Sequence, residues 1–306
     1  MEVILVNDGS PDRCGQICDE YARVDSRVQT IHKNNGGIGD ARNAGIKIAR
    51  GEHFAFIDSD DWIHEEYIKK LYELLIKTNA DIAVCSFLRT KTEDVQVEAV
   101  NNSREEIHTY SNIEALEELF GKHRTNMVMP WGKLYKRYLF DEILFPVGRA
   151  HEDLFVSYKL IHRAKKIVLS KAQLIFYRQR KDSFTGVGFR IRHSLDLLDA
   201  FEEMAEFFRD VGLRELEGRA YKTLFFTYIK TIGRIDDPDH NALIKELLER
   251  ARRVRNKLRR SKQGVRFKVF YEMYFASPAI MYLAYQVCVR LFYYSKRAKL
   301  KARKLW

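Results

Sequence analysis

Three carboxylates crowd the end of one short apolar run. Residues 53–63 read H-F-A-F-I-D-S-D-D-W-I, so Asp58, Asp60 and Asp61 follow directly on Phe54 to Ile57. Carboxylates this close repel one another and lose hydration unless a cation or solvent compensates. The Asp58-x-Asp60 spacing offers hard oxygen ligands, which suit Mg²⁺ or Mn²⁺, ions that also bind substrate phosphates. The same acids could instead form a loop that caps the next helix. A second acidic pair, Glu152-Asp153, precedes Leu154, Tyr158 and Ile161, which share a helical face. There it either complements the helix dipole or supplies a general base. Asp8 follows the mostly apolar run E-V-I-L-V, one residue beyond Asn7. It is either a ligand residue or a turn former.

Two stretches could meet an anion. Asn34 to Gly45 reads N-N-G-G-I-G-D-A-R-N-A-G, three glycines in four positions ahead of a helix. Such a loop lets backbone N–H groups, Gly37 among them, approach an anion at a helix N-terminus. Arg42 adds a cation one turn inside. The spacing is neither the dinucleotide fingerprint nor the P-loop. Further on, Arg178, Arg180 and Lys181 stand within four positions. They could neutralise a diphosphate or form a solvated charge run.

The elements that must position these residues alternate. A strand from the first residues to Val6 leads into N-D-G-S-P-D, where Ser10 and Pro11 suit a helix start. A helix to about Arg23 and a strand over 28–31 follow, then the glycine loop with its helix. Phe54 to Ile57 reads as a buried strand. Ile68, Leu71, Tyr72 and Leu75 are spaced as a helix, and 81–88 as a strand. This order predicts an α/β fold with a doubly wound, mainly parallel sheet, whose ligands bind at the carboxyl ends of the strands. Val95, Val97 and Val100 suggest a hairpin, residues 113–120 a short helix, and Ile167 with 174–177 a pair of strands. From about Ile191 helical periodicity takes over.

The chain's 306 residues and its 46% apolar and 31% charged content are ordinary for a globular protein with a sizeable core. The net charge of +11 is uneven. Residues 250–306 hold 17 Lys and Arg against the single acid Glu272, so the body before them is mildly acidic. Phe267, Phe270, Tyr271, Tyr274 and Phe275 lie at helical spacing between basic clusters, a pattern suited to an in-plane helix on an anionic membrane. Nucleic acid is a poorer partner, because no recognised motif accompanies the charge. Cys14, Cys18, Cys85 and Cys288 lack metal spacing, and a reduced chain is expected. Neither a signal peptide nor a spanning helix is expected.

Four stretches, taken together and in order, carry a resemblance: N-D-G-S-P-D at 7–12, N-N-G-G-I-G-D-A-R-N-A-G at 34–45, F-I-D-S-D-D-W at 56–62, and W-G-K-L-Y-K-R with H-E-D at 131–153. Over residues 1–185 the chain closely resembles the family 2 glycosyltransferases of the A-type, Rossmann-like fold, in particular bacterial enzymes that build surface polysaccharides. The resemblance implies inverting, metal-dependent transfer from a nucleoside-diphosphate sugar, a UDP-sugar foremost, to a glycan or lipid-linked acceptor. Asp8 matches the acid that reads the nucleotide base. Asp58 matches the ribose- or diphosphate-side acid of the Asp-x-Asp pair and Asp60 its metal ligand, with Mg²⁺ or Mn²⁺ as the cofactor. Asp153 matches the catalytic base, ahead of Glu152. Gly37, Arg42, Arg178 and Arg180 are assigned to the donor nucleotide, and Trp131 to the acceptor.

One departure is that family members begin with a strand and helix ahead of the N-D-G-S strand. A catalytically impaired remnant acting as a binding or scaffolding module is therefore the rival expectation. The expected organisation is an N-terminally truncated catalytic domain over 1–190, a helical appendage over 191–260 and a basic amphipathic tail over 261–306. The expected location is cytoplasmic, peripheral on the inner face of the cell membrane.

Overall fold

A computed structural model describes residues 1–91, 106–179, 188–235 and 238–259. The chain divides into two compact units, Met1–Gly188 and Phe189–Trp306. The expected hairpin at Val95 to Val100, the Arg180-Lys181 pair and the amphipathic tail beyond residue 259 lie outside the described residues.

The first unit opens with β1 (Val3–Asp8), α1 (Cys14–Val24) and β2 (Val28–Lys33). β1 and β2 pair in parallel, from Val3 opposite Val28 to Asp8 opposite Lys33. The helix starts later than Ser10 and Pro11 suggested. The Asn7 carboxamide accepts from the Ser10 amide, and the Asp12 carboxylate accepts from the Cys14 amide. Side-chain bonds to local backbone thus form a turn where a helix start was expected. α2 (Ile38–Ile48) follows the glycine loop.

Next come β3 (His53–Phe54), β4 (Trp62–Ile63), α3 (Tyr67–Thr78) and β5 (Ile82–Thr90). β3 is shorter than the apolar run predicted. Beyond Phe54 only an isolated parallel bridge joins Phe56 to Trp131, and the chain then turns into the three acids. After β6 (Ile107–Ser111) come α4 (Asn112–Glu118), α5 (Arg124–Val128), β7 (Lys133–Lys136), α6 (Glu152–Arg163) and β8 (Lys166–Arg178). β8 is one continuous strand where two were expected, with register shifts in its pairing to β5 that absorb the polar step at 170–173.

These strands form a six-stranded sheet in the order β3-β7-β5-β8-β4, with β6 also on β8. β5 and β8 run parallel, and the other pairings are antiparallel. The α/β class and the helical C-terminal region agree with the expectation, and the sheet mixes strand directions more finely than element order can show. Its central strands are buried and apolar, as befits a sheet covered by helices. Tyr67, Leu71, Leu74 and Leu75 of α3 pack against Ala83, Cys85, Leu134, Val168 and Ile175. By contrast, Gly39 is the one buried residue in 1–48.

The second unit contains α7 (Ile191–Asp210), α8 (Arg214–Ile232) and α9 (Asn241–Arg259), with α8 packed on both others. Leu198, Phe201, Met204, Leu224, Phe225, Leu247 and Val254 fill its interior. Arg250 bonds both Asp199 and Glu202 at 2.7 Å, so α9 is tied electrostatically to α7.

Candidate active site

Arg42 is the point where the chemical motifs meet. It projects from the second turn of α2, and its side chain is 8% exposed. One terminal nitrogen donates to Asp58 Oδ1 at 2.8 Å, the other to Glu152 Oε1 at 2.5 Å. The guanidinium also lies 5.3 Å from the centre of the Phe145 ring, a cation–π arrangement. Burial works against this charge, but Asp58 and Glu152 outweigh it and raise its pKa above the ordinary value. Arg42 was expected at the donor diphosphate. Here both ends of its fork are taken by carboxylates, the geometry for which guanidinium is suited.

α2 can bring Arg42 there because Gly39 lets it approach the chain that leads to α6. A Cβ on Gly39 would stand 2.6 Å from the Pro146 carbonyl oxygen. The Asn43 carboxamide fixes the same contact, donating to the Phe145 carbonyl and accepting from the Phe145 amide at 2.8 and 2.9 Å.

Asp153 stands beside Glu152 in the first turn of α6. His151, just before, adopts φ 58° and ψ 36°, a left-handed conformation that costs energy for a residue with a Cβ and clusters at functional sites. Asp153 is partly accessible, yet protein encloses its carboxyl. Burial and the neighbouring Glu152 push its pKa up to about 7, against the Leu154 amide, Arg42 and Lys133. An acid so adjusted accepts a proton near neutral pH far better than an ordinary aspartate.

Asp8 stands at the N-terminal end of α2, the helix that carries Arg42. Its two oxygens accept from the Gly36 and Gly37 amides at 2.9 and 2.7 Å and from Lys33 Nζ at 2.6 Å. Burial alone would raise this carboxyl, but Lys33 and the two amides hold it below the usual range. Lys33 also meets Asp40 at 2.5 Å. Gly37, with φ 85°, does make an anion-binding loop, and Asp8 is the anion in it. The structure thus sets Asp8 and Gly37 together at the N-terminus of α2, and the Asp58–Arg42–Glu152 bridge on the second turn of the same helix.

The remaining expected residues divide. Asp60 lies on the acidic loop, partly exposed. Asp61 accepts from the Arg178 backbone amide at 2.9 Å, which ties that loop to the end of β8. Arg178 therefore adjoins the acids, while Arg180 is outside the described residues. Trp131 needs correction. It is 4% exposed and packs on Phe87 and Tyr177, with ring centres at 5.1 and 5.5 Å. It belongs to the core and offers no face to an acceptor. Trp62, stacked on Phe176 at 5.6 Å and partly exposed beside the acids, is the better-placed aromatic. Its position in D-S-D-D-W was the signal available.

Among the described residues no group of three or more His, Cys, Asp or Glu is arranged to hold a metal ion. Asp58 and Asp60 supply two hard-oxygen side chains on the acidic loop, where Asp61 accepts from the Arg178 amide. That donor set fits Mg²⁺ or Mn²⁺ in the mode where one or two carboxylates share the ion with substrate phosphates.

Known proteins are similar in the same region. The glycosyl transferase family 2 model matches residues 1–144. Glycosyltransferase GlyA of Streptococcus pneumoniae is 31% identical over 216 residues, 69% of this chain and 31% of that protein. Glycosyltransferase GlyG of the same organism is 32% identical over 215 residues, 66% of this chain and 69% of that protein. The chain thus spans about a third of the length of GlyA. Among solved structures, S. aureus TarS in complex with UDP-GlcNAc has a TM-score of 0.56 at 19% identity, covering 76% of this chain and 71% of that one, a likeness of fold. With its four motifs folded into one α/β unit and a family member matched over most of both lengths, the chain belongs to glycosyl transferase family 2.

Proposed function

We propose that the chain transfers a sugar, with inversion, from a nucleoside-diphosphate sugar to a hydroxyl of a glycan or lipid-linked acceptor in cell-surface polysaccharide synthesis. A UDP-sugar is the first donor to test, since TarS, which shares the fold, is solved with UDP-GlcNAc. The observation that carries the reading is Arg42 bridging Asp58 to Glu152, which sets the Asp-x-Asp loop beside Asp153.

In this reading Asp153 takes the proton of the acceptor hydroxyl as its oxygen bonds to the anomeric carbon. The bond from that carbon to the diphosphate breaks, and the diphosphate leaves with the electron pair. Asp60 and Asp58 would hold a divalent cation, whose positive charge would offset the charge of the leaving diphosphate. No second carboxylate has to protonate it, in contrast to glycoside hydrolysis. Glu152, held by Arg42, positions α6 and raises the proton affinity of Asp153. Asp8 serves the donor nucleotide by ordering the glycine loop. The basic stretch 250–306 is proposed to hold the chain on an anionic membrane at the cytoplasmic face.

Calorimetric titration with UDP, with and without Mn²⁺, tests the donor site. Metal-dependent binding is expected in the wild type and is expected to vanish in Asp60→Ala. Transfer from a panel of UDP-sugars should be lost in both Asp60→Asn and Asp153→Asn, and retention in both would sink the site assignment. UDP binding without transfer from any donor would favour a binding module.

A further inference from the structure

Lys133 opens β7 opposite Val84 of β5 and is 2% exposed. An ammonium so deeply buried is costly without compensation. Its Nζ donates to the Met129 carbonyl. Beside it is a small cavity lined by Val84, Met127, Tyr135, Ser157 and Ile161. The Ser157 hydroxyl is buried there without a hydrogen-bond partner. Ser157 follows Asp153 by four residues on α6, so the two share one face of that helix. Lys133 and Asp153 therefore belong to the same wall between β7 and α6.

The charges agree with this placement. Burial pushes Lys133 down to about 7, and the field of Asp153 opposes that fall. Lys133 in turn opposes the burial that raises Asp153. Glu152 on the same helix, Arg42 from α2, Arg124 from α5 and Tyr135 from β7 also act on this carboxyl. Arg42 is already shared between Asp58 and Glu152, and Lys133 and Arg124 are the further cations that act on Asp153.

We propose that Lys133 is a positioning residue behind Asp153, whose ammonium, while protonated, favours the carboxylate that takes the acceptor's proton. The proposal rests on the reading of Asp153 as the base. The base needs nearby positive charge, because burial and Glu152 both favour the protonated carboxyl. The anchor on the Met129 carbonyl fixes the ammonium while the outer edge of Asp153 stays accessible.

Lys133→Met keeps the volume of the side chain and removes its charge. The acidic limb of the pH profile of kcat/KM should then move up by about one pH unit or more, with UDP affinity unchanged. A ¹³C NMR titration of the Asp153 carboxyl, in wild type and variant, should show the same upward move without turnover. Should Lys133→Met not fold, Lys133→Gln carries the same expectation. A carboxyl that titrates alike with and without Lys133 overturns the proposal. A wild-type protein that transfers no sugar removes the transferase reading, and the NMR titration still decides whether Lys133 controls this carboxyl.

Discussion

Arg42 answers two carboxylates from segments 16 and 110 residues away. Removing a buried partner leaves uncompensated charge, which typically costs about 3–5 kcal/mol. Arg42→Ala should lose stability on that order in urea unfolding, and Arg42→Lys should recover only part, because an ammonium cannot span both acids with a fixed fork. Asp153 should behave in the opposite way. Its pKa is raised in the folded state, so the folded protein binds the extra proton between about 4 and 7 and loses stability as pH rises through that window. Above it the ionised form carries the full penalty. Asp153→Asn should therefore abolish transfer yet raise the melting temperature at pH 8 more than at pH 5, as read by calorimetry. The sequence made Asp58, Asp60, Glu152 and Asp153 legible because acids beside apolar runs are unusual in type and place. It did not reveal the double engagement of Arg42, which is a tertiary fact. Trp131 was misassigned because an aromatic in a basic motif reads alike whether it is buried or exposed.

At the scale of elements, the approach of α2 to the chain before α6 decides whether Arg42 reaches its partners. Gly39→Ala would force a Cβ against a backbone oxygen at 2.6 Å. We expect a loss of about 1–3 kcal/mol, together with weaker transfer, measured by thermal unfolding and kinetics. Gly37→Ala would strain a left-handed residue but meets nothing within 4 Å, and should cost about 1 kcal/mol. Helices α3 and α6 were legible because their apolar periodicity is local, and α2 because a glycine-rich loop leads into it. The start of α1 was not, since Asn7 and Asp12 bond the backbone before Ser10 or Pro11 can begin a helix. β3 was overestimated because Ala55 to Ile57 are apolar yet only Phe56 finds a strand-like partner.

At the scale of the whole molecule, charge is segregated along the chain. Among the described residues no helix is long and apolar enough to cross a membrane. Binding through the basic stretch, as proposed, should be electrostatic and sensitive to salt. The full chain should sediment with vesicles containing phosphatidylserine and not with phosphatidylcholine alone, and 0.5 M salt should release it; equal binding to both would remove the electrostatic anchor. The α/β order was legible from alternating patterns. The order β3-β7-β5-β8-β4 was not, because strand neighbours are chosen by packing between segments up to about a hundred residues apart.

The sparse burial of residues 1–48 has a consequence for timing. Asp8 and the glycine loop sit on the thinly covered β1–α1–β2 layer, whereas Asp153 sits on a helix packed into the core. Local opening free energies follow buried contact, so in the proposed reaction the donor and acceptor halves rest on backbone of different stiffness. Amide hydrogens of β1 and β2 should exchange with solvent well before those of β5 and β8. A bound nucleotide that engages Asp8 should slow the first group and leave the second unchanged. In that reading the donor would meet a yielding surface and the acceptor a rigid one, an arrangement in which product can leave without disturbing Asp153.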